Sequence, residues 1–195
     1  GMNLCIAGRA NRYLLLHTAV VAKGDRALLL SGIPGSGKST LCAALVVAGW
    51  RLFSDEFALL RPEDGMVIPL ARPAALKNQS IDIIRKLGPK AVVGPEFPKT
   101  RKGTVAHLQP PPASVHAQGE AARPAWVICP QYRAGAPPHL EPLPKDRAFL
   151  HLSANSFNYE VMGAAGFNAI AAVVDSCPVH NFSYDDLGDA VAVLE

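Results

Sequence analysis

The stretch LLLSGIPGSGKSTLCAAL, residues 28–45, decides the fold expected for this chain. It contains the pattern G-x-x-x-x-G-K-[ST], formed by Gly32, Gly37, Lys38 and Ser39. An apolar, strand-like run precedes the pattern and a helix-like run follows it, which is the context that a phosphate-binding loop (P-loop) requires. We therefore predict that residues 32–37, here called the glycine loop, bind phosphate groups.

Each residue type in this pattern has a physical role. Glycines let the backbone curl so that several N–H groups point inward, and the following helix adds the positive end of its dipole. The Lys38 ammonium is expected to follow the β- and γ-phosphates of a nucleotide, and the Ser39 hydroxyl to ligate Mg²⁺. Thr40 is expected to bond the α-phosphate. The predicted nucleotide-binding residues are Gly32, Gly35, Ser36, Gly37, Lys38, Ser39 and Thr40.

Two acids, Asp55 and Glu56, end the next predicted strand in the segment FSDE (residues 53–56). Because parallel strands bind ligands beyond their carboxyl ends, both acids are expected beside the phosphates. Neighbouring residues on a strand point to opposite faces, so the two should do different jobs. One would reach the metal, directly or through water, and the other would approach the incoming nucleophile.

Composition and charge limit the number of domains and the kinds of partner to be expected. The chain has 195 residues, 49% of them hydrophobic, which predicts one domain over residues 2–195 with a sizeable core, Gly1 being the expected remnant of a tag. The net charge is only +3 and the basic residues are scattered, so neither nucleic acid nor a membrane is an expected partner. No apolar run reaches the length of a membrane span, and a cytoplasmic location is the default expectation.

The cysteines and histidines do not suggest a zinc or redox site. Cys5, Cys42, Cys129 and Cys177 lie far apart, without a C-x-x-C pair, and we expect them to be buried free thiols. The six histidines show no H-E-x-x-H spacing.

The remaining pattern predicts an α/β fold with a mixed sheet and a β-hairpin. Strands are expected at 12–21, 26–32, 50–56, 125–130, 139–143 and 179–184, and helices in the segments KSTLCAALVVAG, NQSIDIIRKLG, KDRAFLHLSA, EVMGAAGFNAIAAVVDS and DDLGDAVAVLE. FALLR and MVIPL, joined by PEDG (62–65), predict the hairpin. Residues 89–124 are rich in proline and are expected to form a long, irregular, mobile loop.

With these residues in place, HTAVVAKGDRALLLSGIPGSGKSTLCAALVVAGWRLFSDE (17–56) resembles the catalytic domain of bacterial HPr kinase/phosphorylase, and most of all its HprK-related kinase branch. His17 lies fifteen residues before Gly32, and Asp55 seventeen after Lys38, at offsets like those of the family. The resemblance is strong over residues 12–70. It is weaker but collinear to the C-terminus, through PQYRAGA and NSFNY.

This resemblance implies a P-loop protein-serine kinase with a phosphoenolpyruvate-carboxykinase-like core, using ATP and Mg²⁺. Asp55 matches the acid that takes the serine proton, Glu56 the second acid near the metal, and His17 the histidine near the transferred phosphoryl group. The implied catalytic residues are Asp55, His17 and Lys38, and the implied metal ligands are Ser39, Glu56 and Asp55. Members of the family assemble as oligomers, so a homo-oligomer is also an expectation.

The sequence departs from the family after the hairpin, where the family's Gly-rich signature is not recognisable. KTRKGTVAH (99–107) is the candidate to occupy its place, and Arg101, Lys102 and Arg72 are candidates for binding phosphate or an acidic partner. A solvated loop is the equal alternative for the first two. Two other functions stay open: a small-molecule kinase, which often carries an arginine-rich helical lid, and a non-catalytic nucleotide-binding switch.

Overall fold

The computed structural model describes residues 10–195, so Gly1 and Cys5 lie outside the described residues. The strands in this range are β1 (Leu14–Leu16), β2 (Thr18–Lys23), β3 (Arg26–Ser31), β4 (Arg51–Ser54), β5 (Ala58–Leu60), β6 (Val67–Ile68), β7 (Ala74–Lys77), β8 (Phe97–Thr100), β9 (Gly103–Leu108), β10 (Arg123–Tyr132), β11 (His139–Pro142) and β12 (Val179–Tyr184).

The helices described are α1 (Lys38–Val47), α2 (Gln79–Leu87), α3 (Pro112–His116), α4 (Lys145–Ala154), α5 (Tyr159–Met162), α6 (Ala164–Ser176) and α7 (Leu187–Leu194). Asp186 caps α7 by accepting a hydrogen bond from the Asp189 N–H. Within residues 10–195, no helix is both long enough and apolar enough to pass through a bilayer.

A six-stranded mixed sheet runs in the order β11–β12–β10–β3–β2–β4. Strands β3, β10 and β12 are parallel, while β2 is antiparallel to both β3 and β4. Consequently β3, β4, β10 and β12 all point their carboxyl ends to one edge of the sheet. The register places Thr18, at the start of β2, opposite Ser31 at the end of β3, so the entry to β2 lies at this same edge.

Both faces of this sheet are covered, which explains the unbroken apolar runs of β2 and β3. Alternate residues of β3 belong to different cores, with Leu28 and Leu30 in one and Ala27 and Leu29 in the other. The first core packs against α1, α2 and α7. The second packs against α4, α6 and the small sheet β1–β5–β6. The predicted α/β fold with a mixed sheet and a hairpin, here β5–β6, is confirmed.

Two parts of the predicted secondary structure are wrong. The run 12–21 is not one strand, because the chain bends at His17 and β1 pairs with β5 instead of joining the central sheet. Residues 89–124 are not an irregular loop, because they contain β8, β9 and α3. The sequence also gave no sign of β7, which pairs with β9 in a third sheet. Cys42, Cys129 and Cys177 are buried free thiols, as expected.

Candidate functional site

The glycine loop leaves the carboxyl end of β3 and leads directly into α1, which begins at Lys38. Gly37 has φ of 100°, a conformation that strongly favours glycine. A Cβ at this position would also lie 2.8 Å from the hydroxyl oxygen of Tyr184. Both the backbone conformation and the space therefore require glycine here, and the loop rests against the end of β12.

Lys38 is folded under this loop. Its side chain is buried, and Nζ donates hydrogen bonds to the carbonyl oxygens of Gly32 and, at 2.9 Å, Ile33. Burial lowers the pKa of Lys38, and the positive charge of Lys77 lowers it further. The Ser36 hydroxyl is buried with no hydrogen-bond partner in the described chain. A concentrated positive charge and an unpaired buried hydroxyl both suit an anionic oxygen ligand.

The two acids at the end of β4 have different surroundings. Asp55 is only 7% exposed, and its Oδ2 accepts a hydrogen bond of 2.8 Å from the Ala75 N–H. Burial raises the pKa of Asp55, although Arg72 opposes the shift. Glu56 is more exposed, and its negative charge raises the pKa of both Lys38 and His17. Glu56 therefore lies on the side of the glycine loop, and Asp55 on the side of β7.

His17 lies at the bend between β1 and β2, on the same edge of the sheet. Its backbone N–H donates a 2.6 Å hydrogen bond to the Asn155 carbonyl oxygen. The ring centroid is 5.4 Å from that of Phe157, which is in turn 5.2 Å from that of Phe57. Burial lowers the pKa of His17, and Lys38 lowers it further. The imidazole is thus held next to the glycine loop and favours its neutral form.

Residues 155–158 hold the segment that precedes His17. Asn158 is buried, and its side chain accepts from the Leu15 N–H and donates to the Tyr13 carbonyl, both at 2.9 Å. The Ser156 hydroxyl donates to the Leu15 carbonyl at 3.1 Å. These bonds take the place of the strand-to-strand hydrogen bonds that β1 lacks on the side away from β5. The position of His17 therefore depends on a segment far away in the sequence.

His151 was not predicted as a site residue, yet it lies directly beside the base of the glycine loop. Its Nε2 is 3.0 Å from the Ser31 hydroxyl oxygen and 3.5 Å from the Cys129 sulfur. Burial lowers the pKa of His151, and Lys38 lowers it further. One sequence signal could have found this residue: His151 stands among the residues on the apolar face of α4, with Ala148 three positions before it and Leu152 next to it.

The basic candidates differ in what they approach. The positive charge of Arg72 lowers the pKa of Asp55. Lys102, at the turn of the β8–β9 hairpin, lowers the pKa of His17 in the same way. Arg101 is exposed at the same turn. Lys77 ends β7, and its positive charge lowers the pKa of both Lys38 and His17. Sequence reasoning does not find it, because a lysine at the end of a short strand has no distinguishing pattern.

A cavity of about 990 Å³ opens beside the glycine loop, and its lining includes Gly35, Gly37 and Thr40 but not Lys38 or His17. Its walls come from the glycine loop and α1, from the β7–α2 junction and α2, and from the ends of β10 and β12. Tyr132, Tyr184, Asp185 and Asp186 form the wall that the two strands contribute.

The residues present fit a nucleotide with Mg²⁺. No cluster of three or more His, Cys, Asp or Glu side chains suited to a metal occurs within residues 10–195. Mg²⁺ in kinases needs no such cluster, because phosphate oxygens, one hydroxyl and one carboxylate complete its shell with water. Ser39 on the first turn of α1 and Glu56, just after β4, carry a hydroxyl and a carboxylate that could serve as those two protein groups at the edge where the loop lies.

No family model matches this chain, and no curated protein matches its sequence. Among solved structures, the chain is similar to the Hpr(Ser) kinase/phosphatase from Coxiella burnetii. The identity is 12%, the TM-score is 0.37, and the match covers 92% of this chain and 94% of that one. At this TM-score the similarity carries no conclusion about what the chain does, which therefore has to be argued from the site itself.

Proposed function

We propose that this chain is an ATP-dependent protein-serine kinase of the HPr kinase-like type, transferring the γ-phosphoryl group of the nucleotide to a protein hydroxyl. The observation that carries the proposal is the meeting of Lys38, His17 and Glu56 at one edge of the sheet, beside a loop with the phosphate-binding pattern. These residues reach that edge from three different strand ends, and Asp55 joins them from the end of β4.

The cationic residues would bind and position the phosphates. When bound, the nucleotide with Mg²⁺ supplies the phosphoryl group. Phosphoryl transfer needs positioning and neutralisation of charge more than covalent help from the protein. Lys38 would exchange its bonds to the loop carbonyls for phosphate oxygens, with Lys77 adding a second positive charge nearby. Ser39 and Glu56 would hold the metal, and Arg72, Arg101 and Lys102 would bind the acceptor or its phosphate.

The two acids would divide the remaining work. Asp55 would orient the acceptor hydroxyl and take its proton, a role that its raised pKa favours because a base works best when its pKa is near the working pH. His17, kept neutral by burial and by Lys38, would donate a hydrogen bond to the transferring group without needing to titrate. Glu56, besides holding the metal, would balance the positive charge of Lys38.

The proposal is tested by label transfer from γ-³²P-ATP with Mg²⁺ in a bacterial lysate. Wild type is compared with Asp55→Asn and Glu56→Gln, which keep the side-chain shapes and remove one charge each. We expect a discrete labelled protein with wild type and a loss of at least about 100-fold with Asp55→Asn, the size of a general-base effect. Phosphoserine in the labelled band would identify the acceptor group.

Two outcomes would contradict it. If wild type binds ATP yet labels no protein, the chain is not a protein kinase, and consumption of ATP with added small hydroxyl compounds would then indicate a small-molecule kinase. If Asp55→Asn labels as fast as wild type, Asp55 is not the base, whatever the effect of Glu56→Gln on the metal.

A further inference from the structure

The cavity beside the glycine loop is lined by neither Lys38 nor His17, the residues of the proposed transfer chemistry, although Lys77 lies in its wall. Lys38 points its amine to the carbonyls of Gly32 and Ile33, towards His17 and Glu56. The cavity instead meets the loop at Gly35 and Gly37 and continues to Thr40. A phosphate chain whose terminal group lies at Lys38 would therefore run along the loop and direct its other end into the cavity.

Two tyrosines at the ends of β10 and β12 form an aromatic wall there. Tyr184 is buried, and its hydroxyl oxygen lies only 2.8 Å from where a Cβ on Gly37 would be, so it packs closely against the loop. Tyr132 is 57% exposed, with its ring edge-on to Tyr184 at a centroid distance of 6.3 Å. Its backbone N–H donates to the Ser36 carbonyl at 3.3 Å, which ties this residue to the loop as well. An exposed aromatic ring on a fixed support is a surface on which a planar base can stack.

The positively charged and the negatively charged residues of the cavity lie on different walls. Lys77 and Lys86 come from the β7–α2 side, while Asp185 and Asp186 come from the end of β12. Backbone N–H groups orient both carboxylates, since Asp185 accepts from Gly135 at 2.8 Å and Asp186 from Asp189 at 3.0 Å. Carboxylate oxygens accept hydrogen bonds from hydroxyl groups, whereas Lys77, close to Lys38, favours phosphate.

We propose that this cavity binds the nucleoside half of a nucleoside triphosphate, with the base stacked on Tyr132 and the ribose hydroxyls beside Asp185 and Asp186. The inference rests on the proposed nucleotide-dependent function and adds a second subsite to it. About 990 Å³ is at the upper end of the usual range for ligand pockets and exceeds what a nucleoside needs. Because every base has an aromatic face, stacking of this kind tolerates different bases, and GTP should bind within several-fold of ATP.

The experiment compares a nucleotide with the same phosphate chain lacking a nucleoside. Dissociation constants for ATP and for inorganic tripolyphosphate, both with Mg²⁺, are measured by calorimetry on wild type, Tyr132→Ala and Tyr132→Phe. We expect Tyr132→Ala to weaken ATP about 10- to 100-fold and to leave tripolyphosphate unchanged. Tyr132→Phe keeps the ring and should bind both ligands as wild type does, within about 3-fold.

The outcomes separate the subsite from the function on which it rests. If ATP and tripolyphosphate both bind and Tyr132→Ala weakens neither, the base lies elsewhere and the subsite is wrong, while the function stands. If Tyr132→Ala weakens both ligands equally, Tyr132 supports only the loop, and the stacking proposal is again wrong. If neither ligand binds wild type, the proposed function fails and the subsite fails with it. Thermal melting of each variant shows that it is folded, as an exposed side chain leads us to expect.

Discussion

At the scale of single residues, His151 connects the site to pH. Burial and Lys38 lower its pKa in the folded chain, whereas in the unfolded chain it keeps an ordinary value of about 6.5. Between these two values the unfolded chain binds more protons than the folded chain, so the free energy of unfolding falls as the pH drops through about 6.5. His151→Gln should therefore lose less stability than wild type between about pH 7.5 and 5.5 in urea unfolding.

A matched control for this experiment is His139→Gln, because His139 is exposed at the start of β11. It should show the same loss of stability on acidification as wild type. If His151→Gln and wild type lose stability in parallel, the His151 pKa is not lowered in the folded chain, and its contact with the Ser31 hydroxyl has no effect on proton binding.

Single residues also show how far sequence reasoning reaches into the site. The resemblance around the glycine loop predicts His17, Lys38 and Glu56 together, and the fold brings them to one edge of the sheet, where β2 begins and β3 and β4 end. His151 and Lys77 reach the same place from other elements of the chain. The apolar face of α4 indicates that His151 is turned inward, but its place beside Ser31, like that of Lys77 beside Lys38, depends on how α4 and β7 pack.

At the scale of elements, the segment 155–158 acts as a brace for β1. Asn158 satisfies the Leu15 N–H and the Tyr13 carbonyl, so Asn158→Ala would leave a buried donor without a partner. We expect a loss of about 1–3 kcal/mol in the free energy of unfolding, measured by urea titration. Asn168→Ala, an exposed asparagine on α6, is the control and should be unchanged or slightly more stable, because alanine favours helix. Equal effects of the two variants would show that the brace contributes nothing.

The same scale explains the two wrong secondary-structure predictions. An apolar run longer than a strand gives no sign of a break, and here the bend at His17 depends on Asn155 and Asn158, well over a hundred residues later. In residues 89–124 the prolines stand at or just outside strand and helix ends, and Pro98 lies within the exposed strand β8. Proline density here marks the boundaries of short elements, and it does not indicate that elements are absent.

At the scale of the whole molecule, a ligand bound at the glycine loop should stabilise the entire fold. ATP with Mg²⁺ at about 100 times its dissociation constant should add about 2.7 kcal/mol to the free energy of unfolding. For a chain of this size the melting temperature should rise by about 5–10 °C. Lys38→Ala should remove most of the shift, and Lys90→Ala, an exposed lysine just beyond α2, should keep it. An undiminished shift with Lys38→Ala would mean that the nucleotide binds elsewhere.

The parallel pairing of β3 with β10 also means that the glycine loop is synthesised before the strands that support it. Leu28 pairs with Trp126, and Val127 with Val179, so the wall against which the glycine loop rests comes from strands much later in the chain. During translation the loop leaves the ribosome long before that wall has been synthesised. A nascent chain that stops before β12 would carry the complete phosphate-binding motif without its support. The ability to retain a nucleotide should therefore appear abruptly, once the residues up to Tyr184 have emerged from the exit tunnel.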